Sequence, residues 1–396
     1  MKSGRSISQP YNARGGLTVN GYSAGWLRQH FQWVYPKEIV RGTPVSGAHV
    51  GLSAEDGSPL GVAIADDGWI AARRFREDDG PLDAAWMTTR VAAARALRAA
   101  LPLDTDAYRL VNAENDDLPG IRVDVYGAHA VVTLDSPSLE SLLDPLLSAL
   151  GPMESVHLAW RPDPRENHRI WPKPRLLSGT SPASDVPVRE RGMTLLVRPG
   201  AGKDIGVYTD MRDNRAWLEP HWRGRAVLNL FAHTGAFSVA AARGGASEVV
   251  TVDLSEAYLA RASANFAANG LQAGELLAED SFKALDRFRR KGRTFDIVVC
   301  DPPGHSHGDG GAWTGEKDWP RLAAACLRVL RPGGWLVAAS NLGSQSPKQF
   351  QGQLGEGARR AERTLRLVHE GTPPVDHPAA LHFPESRYLK FWVCSG

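Results

Sequence analysis

The chain has 396 residues, 42% of them hydrophobic and 23% charged, which is the balance of a folded soluble protein and too long for one core, so two or three domains are expected. Its net charge of +2 neither requires nor forbids a polyanionic partner. Three cysteines without a CxxC pair exclude a disulfide scaffold and a cysteine-built zinc site and point to a reducing cytoplasm, and no apolar run reaches the roughly 18 residues that a membrane span needs.

In chain order, residues 1–20 are polar and aperiodic and read as a flexible, basic arm. Residues 21–80 carry short strand-like runs such as VSGAHVGLSAEDG and GVAIADDGWIAARRF, the pattern of a small all-β barrel. Residues 81–192 open with an Ala/Arg/Leu helix over 83–100. Strands separated by Asp-Pro-Gly and Tyr-Gly turns and a Leu-rich helix to about Leu150 follow, which makes a second, α+β unit. The proline-rich stretch 161–187 is expected to be a long loop. From 193 to 396 apolar strands of four to six residues alternate with helices, so an α/β domain with a mostly parallel, doubly covered sheet is expected.

Within that last region, VLNLFAHTGAFSVAAARGGASEVVTVDLS places a loop, AHTGAF, directly after a strand and an acid, Asp253, at the end of the next strand. Ligands of such sheets sit beyond the carboxyl ends of the strands. Gly235 lets the backbone approach a ligand, and Asp253 can accept from a ribose diol. The dinucleotide fingerprint GxGxxG is absent. A nucleoside without phosphates, S-adenosylmethionine, fits better than NAD, with a purely structural turn or another nucleotide as the alternatives. Asp280 and the Asp301-Pro302-Pro303 triplet lie at two further strand ends. Three acids at successive strand ends are a stronger signal than any one of them.

These residues, with WLRQHFQWVYPKEI, NAENDDLPGIRVDVYG, GVYTDMRDNR and DHPAALHFPESRYLK in fixed order, resemble the bacterial class I rRNA methyltransferases of the 23S rRNA large-subunit (cytosine-C5) methyltransferase I kind. The resemblance implies an N-terminal PUA-like barrel, a central α+β domain and a C-terminal Rossmann-like methyltransferase domain, with S-adenosylmethionine as cofactor, RNA as partner and no metal. It leaves a homodimer open. It carries cofactor binding onto Tyr208, Arg212, Asn214, Asn229, Phe231, Thr234, Gly235, Asp253 and Asp280. Catalysis falls on Asp301, Pro302 and Pro303, substrate binding on Tyr388 and Lys390, and Asp210 belongs to the same lead-in segment. Phe231 and Tyr388 read equally well as core aromatics, and Arg212 as a helix charge paired with an acid.

One departure stands out. The family's catalytic cysteine, in Ser-Cys-Ser-Gly after the PGG turn, is replaced here by Asn341, and a carboxamide cannot attack a pyrimidine ring. Cys300, Cys326 and Cys394 read as packed thiols, and His305 and His307 flank the loop after the DPP triplet. Besides an RNA methyltransferase, a methyltransferase of a small molecule or protein, or a noncatalytic RNA-binding relative, fits the residues.

Overall fold

The computed structural model describes residues 16–163, 165, 171–202, 204–308 and 311–396; the expected N-terminal arm thus lies, through residue 15, outside the described residues. The first unit is a six-stranded sheet built from strands between Leu17 and Arg76. Strand His49–Ala54 alternates buried and half-buried positions, turning Val50 and Leu52 onto a core with Leu17, Val19 and Leu60. A helix not expected in an all-β module, Gly21–Arg28, joins that core through Ala24 and Leu27. Its start is set by Asn20, whose side chain accepts from the Ser23 amide.

The second unit sets helix Ala84–Ala99 and helix Leu143–Leu150 on a five-stranded sheet. Asp83 caps the first helix by accepting from the Trp86 amide at 2.9 Å. The reading of 161–187 as one loop needs correction. Strand Arg175–Gly179 pairs antiparallel with Ser155–Trp160, and Val186–Glu190 forms a hairpin with Met193–Val197. Arg175–Gly179 is an edge strand that begins just past Pro172 and Pro174, so the missing proline amides cost the ladder nothing. The expected boundary at 192/193 falls in the turn of that hairpin.

The third unit contains a seven-stranded sheet in the spatial order 275–278, 248–253, 226–230, 295–300, 330–340, 390–395, 366–371. The first five are mutually parallel, and Lys390–Ser395 runs against its two neighbours. Alternation divides each strand between two apolar layers. Leu228, Leu230, Val298, Cys300 and Ala338 face Phe288, Leu322, Cys326 and Phe350, whereas Val227, Ile297, Val299, Val337 and Phe391 face Trp222, Phe237 and Phe266. The strand order reverses between 226–230 and 295–300, and the loops at their carboxyl ends therefore flank a crevice. Among the described residues no helix is long and apolar enough to cross a membrane.

One segment, 372–389, returns from this sheet to the second unit and binds it tightly. Asp376 is fully buried; it accepts from the Arg109 amide at 2.8 Å and pairs with the Arg212 guanidinium. Asn112 donates to the Pro378 carbonyl at 2.9 Å, and Asn115 accepts from the Ala380 amide and the Ser386 hydroxyl. The NAEND run quoted above is thus a clamp between units.

Candidate active site

The AHTGAF loop begins on Ala226–Leu230 and ends on helix Ala236–Arg243. Phe231, just before the loop, takes the left-handed conformation at φ 54°, as do its own His233 at φ 51° and Gly235 at φ 75°. A side chain at Gly235 would place its Cβ 2.8 Å from that of Ala262, so glycine is required there twice over. Non-glycine residues in this region each cost roughly 1–3 kcal/mol and need outside support. Asp253 supplies part of it, accepting from the His233 amide at 2.8 Å. Thr234 donates to the Gly206 carbonyl, and Asn265 donates to the Thr234 carbonyl at 2.8 Å.

Asp253 sits at the end of Glu248–Asp253, half-buried. Burial pushes its carboxyl above the ordinary range, while amides of Ser255 and His233 pull it back. Each oxygen takes one backbone amide and keeps capacity for a further donor. Asp280 caps helix Ser281–Arg290; one oxygen accepts from the Phe282 and Lys283 amides. His233 lies between Tyr208 and Tyr258, with ring centroids 5.1 and 4.5 Å away. Burial, with the Arg261 charge, pulls its imidazole down to about 4, and its Nε2 has no hydrogen-bond partner.

Asp301 follows Phe295–Cys300 and is half-buried. Burial and then the Asp210 carboxylate push it up to about 7, against the opposing charge of Arg215. Arg215 cannot neutralise it fully, because its guanidinium is engaged by both Glu190 oxygens at 2.7 and 2.6 Å. Asp210 itself accepts from the Tyr388 hydroxyl at 2.7 Å. Tyr208, itself about half exposed, reports the convergence: desolvation of its hydroxyl end first, then Asp301, Asp204, Asp210 and Asp253, push its phenol up to about 12. Acids from separate loops thus gather at one mouth. Pro302 is buried and Pro303 exposed; the Pro303 carbonyl accepts from the indole of Trp313 at 2.7 Å. Trp313, which sequence reading missed, lies within 6.3 Å of both Phe231 and Phe282 and so links the DPP triplet to the first loop.

Several predicted ligand residues have other tasks. Arg212 is committed to the buried Asp376, as a charge removed from water must be. Asn214 donates to the Thr372 carbonyl at 3.2 Å, and Asn229 to the Ser238 hydroxyl at 2.9 Å beneath the loop. The three of them fasten the site's frame. Lys390, expected to hold substrate, is buried; its ammonium donates to the carbonyls of Leu342, Gln345 and Tyr388, and burial pulls it down to about 8. With three donors spent, it instead fixes the loop that carries Asn341. Asn341 is exposed, three residues past Ala338 as Pro303 is three past Cys300, its pairing partner. The three thiols are buried, Cys300 beside Cys326, and burial pushes Cys300 and Cys394 up. The side chains of His305 and His307 lie outside the described residues. Among those described, no cluster of His, Cys, Asp or Glu is placed to hold a metal ion.

The donor set suits a nucleoside that carries a cation: an anionic mouth, a carboxylate with spare acceptor capacity and an unpartnered imidazole nitrogen. The Asp253→Ala variant is expected to bind S-adenosylmethionine more weakly by roughly 1–3 kcal/mol, because ribose hydroxyls and the His233 amide lose an acceptor together. Titration calorimetry giving the parent's affinity would refute the assignment.

The chain is similar to known methyltransferases. A model of the S-adenosylmethionine-dependent methyltransferase family matches residues 165–382. The ribosomal RNA large subunit methyltransferase I of Erwinia tasmaniensis is 32% identical over 392 residues, spanning 96% of this chain and 98% of its own. That of Tolumonas auensis is 35% identical over 380 residues, spanning 92% and 94%. Among solved structures, SMU.776 complexed with SAH covers 96% of this chain and 100% of its own at a TM-score of 0.86 and 24% identity, which shows a shared fold.

Proposed function

Since the chain belongs to the S-adenosylmethionine-dependent methyltransferase family, as a relative of the ribosomal RNA large subunit methyltransferases I, we propose that it methylates a base of large-subunit (23S) ribosomal RNA without forming a covalent adduct to the protein. Cytosine is the base implied by resemblance, and its exocyclic amino nitrogen is the acceptor proposed. The observation that carries this reading is Asp301. It is a carboxyl poised near neutral pH at the strand end, with a field of acids around it and no thiol in reach.

S-adenosylmethionine supplies a methyl group on a sulfonium sulfur, which leaves as a neutral thioether. Asp253 and Asp280 would hold the nucleoside by its ribose and adenine ends, beside the AHTGAF backbone. Asp210, Asp204 and Asp301 favour a cation at the mouth. The substrate base is turned out of its strand into the crevice beside Asp301 and Pro302. With the cofactor bound, the methyl group would pass from its sulfonium sulfur to the amino nitrogen, and Asp301 would take the proton that the nitrogen sheds. Tyr388 positions Asp210, and Asp210 raises the proton affinity of Asp301, which makes its carboxylate a stronger acceptor.

The N-terminal sheet is read as a PUA-like module that holds RNA, and a cytoplasmic location follows from that substrate. The test is labelled methyl transfer from S-adenosylmethionine to RNA of a strain lacking the protein, followed by mass spectrometry of the nucleosides. Label entering protein or small molecules in place of RNA would overturn the substrate. A variant with Cys300, Cys326 and Cys394 all changed to Ala is expected to methylate at a rate within about threefold of the parent at temperatures where both are folded, since a positioned acid needs no nucleophile. Loss of activity on replacing Cys300 alone would disprove the noncovalent route.

A further inference from the structure

We infer that the N-terminal module carries a second RNA site, an aromatic pocket that takes one unpaired nucleobase of the substrate; this rests on the RNA methyltransferase reading above. The pocket encloses about 230 Å3 and is lined by the rings of Tyr22, Trp26, Phe31, Trp33 and Tyr35. Tyr22 and Trp26 are four apart on helix Gly21–Arg28 and therefore share one face, where they are 66% and 45% exposed. Trp33 is fixed from behind, its indole donating to Glu114 at 2.9 Å. Phe383 backs two of these rings, stacked on Phe31 at 5.4 Å and edge-on to Trp33 at 4.8 Å.

Two kinds of polar group make this more than a greasy surface. Ser23 lines the pocket, and its hydroxyl, buried behind that wall, has no hydrogen-bond partner, a cost that a small shift of the wall toward a ligand would relieve. Lys37 and Glu385 stand at the same pocket, an exposed ammonium for a phosphate and a carboxylate for a base amino group. Stacked rings with a few polar edges are how single-stranded RNA is held, because every base offers a π-face and an unpaired base leaves its edge free.

Continuity with the active site favours RNA over a peptide. Glu385 lines the pocket, and three residues further on the Tyr388 hydroxyl binds Asp210. Three residues reach at most about 11 Å, so a single strand can bridge the two sites over a few nucleotides.

The test is fluorescence anisotropy of a labelled single-stranded RNA 12-mer and of an abasic 12-mer of the same backbone. Trp26→Ala is expected to weaken binding of the base-bearing strand about 5- to 100-fold and leave the abasic strand unchanged, with Trp26→Phe restoring most of the loss. Binding of SAH by calorimetry should stay within about twofold, showing that the fold is intact. Equal losses on both strands would overturn the proposal in favour of charge alone. Unchanged RNA affinity in both Trp26→Ala and Tyr22→Ala would overturn it and leave the pocket to an apolar side chain of a protein partner. If the parent binds the 12-mer through Trp26 but transfers no methyl group to RNA, the pocket stands and the functional reading fails.

Discussion

Asp301→Asn is expected to lower the methyl-transfer rate by about 10²–10⁴, the range a positioned proton acceptor contributes, while leaving affinity for SAH, which lacks the sulfonium charge, within about twofold. An amide keeps the shape and can still accept a hydrogen bond, but it has no site for the departing proton. The pH profile gives a second reading of the same residue. The acid form predominates below about 7 and cannot accept a proton, so the parent's rate should rise with pH through about 7 and then level. Tyr388→Phe removes the hydroxyl that positions Asp210 and should displace that inflection without abolishing activity. Rapid-quench measurement with labelled cofactor decides the case. An Asp301→Asn rate within fivefold of the parent would mean that another group takes the proton.

The largest expected effect on stability is at Asp376, which does no chemistry. Asp376→Ala leaves Arg212 buried at 3% exposure without its partner and strips the Arg109 amide of an acceptor. Breaking a buried pair on one side costs about 3–5 kcal/mol, here equivalent to a drop in Tm on the order of 10 °C. Replacing both partners, Arg212→Met with Asp376→Leu, should recover much of that loss, since the apolar pair leaves no charge stranded. The pH dependence has a definite sign. Burial raises the Asp376 carboxyl, but His377 at 3.5 Å and the Arg212 pair outweigh it and hold the group well below the usual carboxylate range. Its contribution is therefore complete above the unfolded value, about 4, and is lost as pH falls through the folded one. Calorimetric scans of the parent and Asp376→Ala should differ most above pH 5 and converge in acid; a constant difference down to pH 2 would rule the ion pair out as the cause.

Amino-acid order alone determined the alternation of strands and helices after residue 193, because each apolar run is short and each helix carries its own periodicity and caps. It also determined that Asp253, Asp280 and Asp301 stand at strand ends, and that the family's attacking thiol is missing. These are statements about residue identity and neighbours a few positions away, which local patterns encode. The sequence also carried Asn341, whose exposure at the end of 330–340 the structure then placed.

What the fold decided lies in contacts between distant positions. Arg212 and Asp376 are 164 residues apart, and Asp210 and Tyr388 are 178 apart. Such pairs leave no periodic trace, so a charged residue in a helix reads the same whether it meets cofactor, water or a buried acid. Lys390 shows the same limit: only the antiparallel pairing of its strand with 330–340 brings its ammonium to three carbonyls and takes it from the substrate. The near-neutral Asp301 is likewise a property of assembly. Its proton affinity follows from burial and from a second carboxylate brought close by the sheet, and both exist only after the chain has folded.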